Sequence, residues 1–67
     1  MINTNKIKGR IVELGMTQDT VAKAMEMAQS TFCLKIGNKR PMNISECKTL
    51  MEILSIPESD IVSYFFA

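Results

Sequence analysis

Residues 15–41 read GMTQDTVAKAMEMAQSTFCLKIGNKRP, and the spacing of their apolar positions predicts two short helices joined by a tight turn. Thr17 is placed to cap the first helix by accepting a backbone N–H two or three residues on, and Asp19 puts negative charge in its first turn. Val21, Ala22 and Met25 then share one face, while Lys23 and Glu26 take the other. Ala22 is small enough to let another backbone approach. The pattern breaks at Glu26-Met27-Ala28 and resumes over Gln29 to Ile36, with Phe32 and Ile36 on one stripe and Gln29, Ser30, Cys33 and Leu34 elsewhere. Two short helices with this break between them fit a helix-turn-helix, and on periodicity alone they equally fit an ordinary αα-hairpin.

Outward from this stretch, the chain supplies helices that hold the pair. Asn3 or Asn5 can cap a first helix whose stripe is Ile7, Ile11 and Leu14. Gly9 within it costs about 1 kcal/mol relative to Ala, so that helix depends on packing. Gly15 is expected to end it just past the last helical residue. Lys6, Lys8 and Arg10 are left free for phosphates or solvent. After the pair, Gly37-Asn38-Lys39-Arg40-Pro41 is a turn and breaker with two adjacent cations. Asn43-x-x-Glu46 reads as a capping box opening a helix to Leu54, with Ile44, Cys47, Leu50, Met51 and Leu54 inward. Pro57, expected at the first helical position, starts a last short helix in which Ile61 and Phe65 share a face. Tyr64, Phe65 and Phe66 crowd its end, either under the first helix or against a partner.

A 67-residue chain has room for one domain, residues 1–67, and domains of this size bury only about 60% of their unfolded surface. Hydrophobic residues at 46% and charged ones at 22% give an ordinary globular composition rather than a disordered one. No apolar run is long enough for a membrane span and no leader pattern is seen, so a cytoplasmic protein with no membrane association is expected. Cys33 and Cys47 lack His or further Cys partners, so no metal site is expected and both read as buried small hydrophobes. With no His, no base beside a Ser or Cys, no phosphate loop and no clustered carboxylates, catalysis lacks its parts. No catalytic residue and no cofactor are expected. The net charge of +1 divides unevenly: residues 1–40 carry +4 and residues 41–67 carry −3, so a basic face can coexist with an acidic one.

The stretch resembles the Cro/CI-type, lambda repressor-like helix-turn-helix family of phage repressors and bacterial regulators. The residues that carry the likeness are Gly15-Met16, Thr17-Gln18, Asp19-Thr20, Val21-Ala22, Met25-Glu26-Met27, Gln29-Ser30-Thr31-Phe32 and Asn38-Lys39-Arg40-Pro41. Two positions depart from the pattern: Glu26 stands where Gly is common, and Ala28 where a Ser or Thr cap is usual. The resemblance implies an all-α, five-helix domain that binds double-stranded operator DNA and regulates transcription by occupying its site. It implies that the helix from Gln29 enters the major groove, with Gln29 reading adenine and Ser30, Thr31 and Leu34 also reaching base edges. Gln18 is expected at phosphate and against Gln29, and Asn38, Lys39 and Arg40 on the DNA backbone. The family implies a two-fold dimer, and the crowded aromatics Tyr64, Phe65 and Phe66 point to a weak homodimer contact through the C-terminal segment. The rival reading is a protein-binding module, antirepressor or antitoxin-like, that grips another regulator such as a co-encoded repressor. Fold does not decide between them.

Overall fold

In the computed structural model, which describes residues 1–66, local signals place five α-helices in the order read from the sequence. They are α1 (Thr4–Glu13), α2 (Gln18–Ala24), α3 (Gln29–Ile36), α4 (Ile44–Ile53) and α5 (Ile61–Phe65). A single 3-10 turn, Glu58–Asp60, leads into α5. Side chains start three of the helices: Asn3 Oδ1 accepts the Lys6 N–H, Thr17 Oγ1 accepts the Thr20 N–H, and Asn43 with Glu46 forms a reciprocal capping box. Pro57 precedes the 3-10 turn rather than occupying its first position. Its ψ of 150° holds the chain extended until Glu58.

The first four helices end in one way. One residue past the C-cap lies in the left-handed region, and the next N–H reaches back five residues to a carbonyl of the last turn. The left-handed residues are Gly15 (φ 72°), Glu26 (φ 59°), Asn38 (φ 62°) and Ser55 (φ 52°). The returning bonds are Met16 N–H to Ile11 O (3.0 Å), Met27 to Ala22 (3.0 Å), Lys39 to Leu34 (2.9 Å) and Ile56 to Met51 (2.9 Å). This is the Schellman pattern, which satisfies carbonyls that have no partner inside the helix. Met16, Met27 and Ile56 turn their side chains back onto the core, as such closures favour. At the end of α3 the corresponding residue is Lys39, which is exposed, and so is Leu34, whose carbonyl it meets.

The core is Ile7 and Ile11 from α1, Val21 and Ala22 from α2, Phe32 and Ile36 from α3, and Leu50 and Met51 from α4, closed by Leu54, Ile56 and Phe65. Phe32 is the largest of the fully buried side chains, and α2 packs on α3 more extensively than any other pair of helices. The radius of gyration is 10.5 Å, against about 11 Å expected for a compact chain of this length. Two expected core positions fall outside it. Leu14 is 37% exposed because it is the C-cap of α1, where the chain is already turning away. Ile44 is 74% exposed: the capping box sets it at the first position of α4, where it lines an open groove beside Cys47 instead of the core. Cys33 and Cys47 are half-buried rather than buried, and both are free thiols. Burial pushes the Cys47 thiol pKa up, with a smaller push from the Glu46 carboxylate.

Polar contacts lock the termini and helices together. Arg10 donates from Nε to the Leu54 carbonyl (2.8 Å) and from Nη2 to the Ser55 carbonyl (3.3 Å), so it closes the end of α4 and is not free for phosphate. Lys35 pairs with Glu46, tying α3 to α4 with both side chains largely covered. Asn38 accepts the Ile2 N–H at Oδ1 and donates from Nδ2 to the Ile2 carbonyl, both at 2.9 Å. Lys6 lies over the Tyr64 ring, 4.8 Å from its centre, and the Asn3 N–H donates to the Tyr64 carbonyl. No helix among the described residues is long and apolar enough to cross a membrane.

Candidate nucleic-acid interface

The inner stripe of α3 is fixed by Phe32 and Ile36, both fully buried, and this decides which of its side chains look outward. Gln29 and Ser30 are exposed, Leu34 is 42% exposed, and Thr31 is half-buried at the flank. Gln29 lies one turn before Cys33 on the same row, yet it is open to solvent because it opens the helix and nothing covers it. Ala28 sits at the N-cap position with extended backbone and gives no side-chain hydrogen bond. The first-turn N–H groups of α3 therefore have no side-chain acceptor, in contrast to those of α1, α2 and α4.

At the other end of α3, Gly37 caps the helix and the left-handed Asn38 swings the chain round so that Lys39 and Arg40 follow in an exposed bend. Their two N–H groups converge on the Leu34 carbonyl, at 2.9 and 3.2 Å. Neither side chain enters an ion pair among the described residues, whereas Lys35 and Arg10 both do. Cations that remain unpaired and solvated beside an exposed helix are available to anions. Of the loop residues expected on a DNA backbone, Asn38 already has its side chain occupied by Ile2, so its amide serves the fold. Lys39 and Arg40 are unencumbered.

Gln18, the first residue of α2, is half-buried at the seam with α3. Its Oε1 accepts from the Cys33 thiol at 3.0 Å, and no hydrogen bond joins it to Gln29. The expected contact between the two glutamines is thus replaced by one between Gln18 and Cys33. Periodicity marks Cys33 only as a position outside the apolar stripe and carries no signal for this pairing.

The aromatic cluster at the C-terminal end separates into three environments. Phe65 is 3% exposed and belongs to the core, Tyr64 is half-buried beneath Lys6, and Phe66 is 65% exposed. Phe66 lines an open groove of about 550 Å³ together with Met1, Ile2, Met42 and Ile44, and Lys39 and Arg40 line it too. Among the described residues no group of three or more His, Cys, Asp or Glu side chains is arranged to hold a metal ion.

Residues 2–67 match the family model described as protein of unknown function (DUF739). The chain therefore belongs to that family, which spans the whole helical domain. No curated protein matches the chain.

Proposed function

We propose that this protein is a sequence-specific, double-stranded DNA-binding transcriptional regulator, a Cro- or repressor-like protein of phage type working in the cytoplasm by operator occupancy. The observation that carries the reading is the outer surface of α3: an exposed amide, hydroxyls and an apolar Leu34 run along one helix, and two unpaired cations stand at its end. That set supplies both parts of DNA recognition. Amide and hydroxyl groups read base edges in the major groove, and cations fix register on phosphates. Gln29 presents a donor and an acceptor side by side for adenine N6 and N7, while Ser30, Thr31 and Leu34 reach neighbouring edges, Leu34 by contact with a thymine methyl. Gln18, Lys39 and Arg40 hold the backbone.

A single recognition helix reads only a few base pairs, so a two-fold dimer on a palindromic site is part of the proposal. Of the three C-terminal aromatics only Phe66 is largely exposed, and the groove it shares with Ile44 and Met1 is the surface for that contact. The same groove supports a second reading, in which the domain binds another regulator, such as a co-encoded repressor, through Phe66 and Ile44. The test is a gel shift with the promoter DNA that neighbours the gene, run with and without the co-encoded repressor. A shift by this protein alone that survives excess random DNA supports the first reading. A shift that requires the repressor, or the loss of the repressor's own shift, supports the second.

A further inference from the structure

We infer that Cys33 is a positioning residue for DNA binding: its thiol orients the Gln18 carboxamide so that the amide N–H groups face the phosphate backbone. The inference rests on the DNA-binding reading of α3 and names a residue of that surface which would not itself touch DNA. Cys33 sits at the middle of α3 and Gln18 at the start of α2, and their side chains meet across the seam with Sγ 3.0 Å from Oε1. A thiol offers one weak donor, while a carboxamide offers an acceptor oxygen at one end and two N–H donors at the other. Binding the oxygen to Cys33 fixes which end of the amide is turned inward. The N–H end is left without a protein partner among the described residues, and phosphate oxygens accept but cannot donate.

The geometry also explains why a cysteine suits the place. Cys33 meets the Gln18 carboxamide directly across the seam, so a long side chain at position 33 would displace that carboxamide. A small side chain with a donor bridges the seam without filling it. Thr17 and Thr20 close the other side of the α2 N-terminus through a hydroxyl pair at 2.8 Å, so the backbone that carries Gln18 is already fixed. The remaining freedom lies in the Gln18 side chain itself, and Cys33 removes it before DNA arrives. Such ordering in the free protein improves affinity by lowering the cost of immobilising the side chain on binding.

The experiment has a DNA-free arm and a DNA arm, with Cys33→Ala, Cys33→Val and Cys33→Ser compared in the whole chain. Val occupies similar volume without a donor, so it covers the case in which Ala alone disturbs packing, and Ser restores the donor. In NMR spectra of free protein, the Gln18 side-chain amide resonances should move in Ala and Val, stay near wild type in Ser, and leave Gln29 unchanged. On DNA, Ala and Val should bind about two- to tenfold more weakly, the size expected for immobilising one more side chain on binding, and Ser within about twofold of wild type. Their salt slope should stay at the wild-type value, because the Gln18 amide is neutral and its phosphate contact releases no counterion. Adding Cys33→Ala to Gln18→Ala should cost nothing further, since the two act through one contact. Unmoved Gln18 resonances, or fully additive losses in the double variant, overturn the inference while leaving DNA binding intact. Moved resonances with no DNA binding by wild type overturn the DNA-binding reading, and the phosphate role of this contact falls with it.

Discussion

Glu26 occupies the turn between α2 and α3 with φ at 59°, where a side chain crowds its own backbone. Replacing it by Gly should raise stability, and the size follows from two opposing effects. Relief of left-handed strain is worth roughly 1–2 kcal/mol. Against this, Gly loses about 0.5–1 kcal/mol more conformational entropy on folding. Glu26 is exposed and enters no ion pair among the described residues, so no other interaction is lost. The net gain is about 0.5–1 kcal/mol, which for a domain of this size raises the thermal midpoint by about 2–8 °C. Glu26→Ala keeps the Cβ and the positive φ and should leave the midpoint within about 2 °C of wild type. Gly15, at φ 72° with nothing within 4 Å of the place a Cβ would take, is the mirror case, so Gly15→Ala should lower stability by a similar amount through strain alone. Far-UV circular dichroism melts of the three variants against wild type give the comparison. A Glu26→Gly midpoint below wild type, or a Gly15→Ala midpoint at or above it, would refute the assignment of these residues to one closing geometry.

The remaining expectations concern charge, DNA and assembly. The Lys35 hydrogen bond, followed by the Asn43 N–H, holds the Glu46 carboxyl below its ordinary pKa of 4.5, so its contribution is fully present above pH 4.5 and lost as pH falls through the lower folded value. Urea titrations should show Glu46→Gln less stable than wild type at neutral pH but with a flatter acid limb, and parallel acid limbs would sink this. Replacing Lys39 and Arg40 together by Ala should weaken binding to specific and random DNA alike and reduce the salt slope by about two, whereas an unchanged slope moves both off the interface. Sedimentation of wild type and Phe66→Ser, free and with operator DNA, should show self-association that the substitution weakens. A wild-type monomer that binds one half-site with full affinity argues against the dimer.

The features legible in the sequence are those that lie within one helical turn. Thr17, Asn3, Asn43 and Glu46 cap as their spacing implies, because a cap and its N–H are two or three residues apart. The bounds of α3 follow from Phe32, Ile36 and Gly37, and the same stripe turns Gln29, Ser30 and Leu34 outward. Partners distant in sequence are not legible. Arg10 reaches carbonyls 44 and 45 residues away, and Asn38 binds Ile2 across 36, through contacts that no periodicity records. The same holds for Cys33 and Gln18, which meet only once α2 has folded onto α3. Ile44 and Leu14 mislead because an apolar residue at a helix end fits the stripe in projection while the chain bends away from the core.

The central claim, that α3 reads base edges, is tested most directly at Gln29. DNA selected from a random-sequence pool by the wild-type protein supplies the specific site, and equilibrium titrations compare wild type with Gln29→Ala on that site and on random DNA. The exposed amide is not part of the core, so thermal stability should be nearly unchanged. Affinity for the selected site should fall by about 1–3 kcal/mol while random-DNA affinity stays the same, because only a base contact discriminates between the two. Equal losses on both DNAs, or no loss on either, would contradict the placement of Gln29 at a base edge and with it the proposed use of α3.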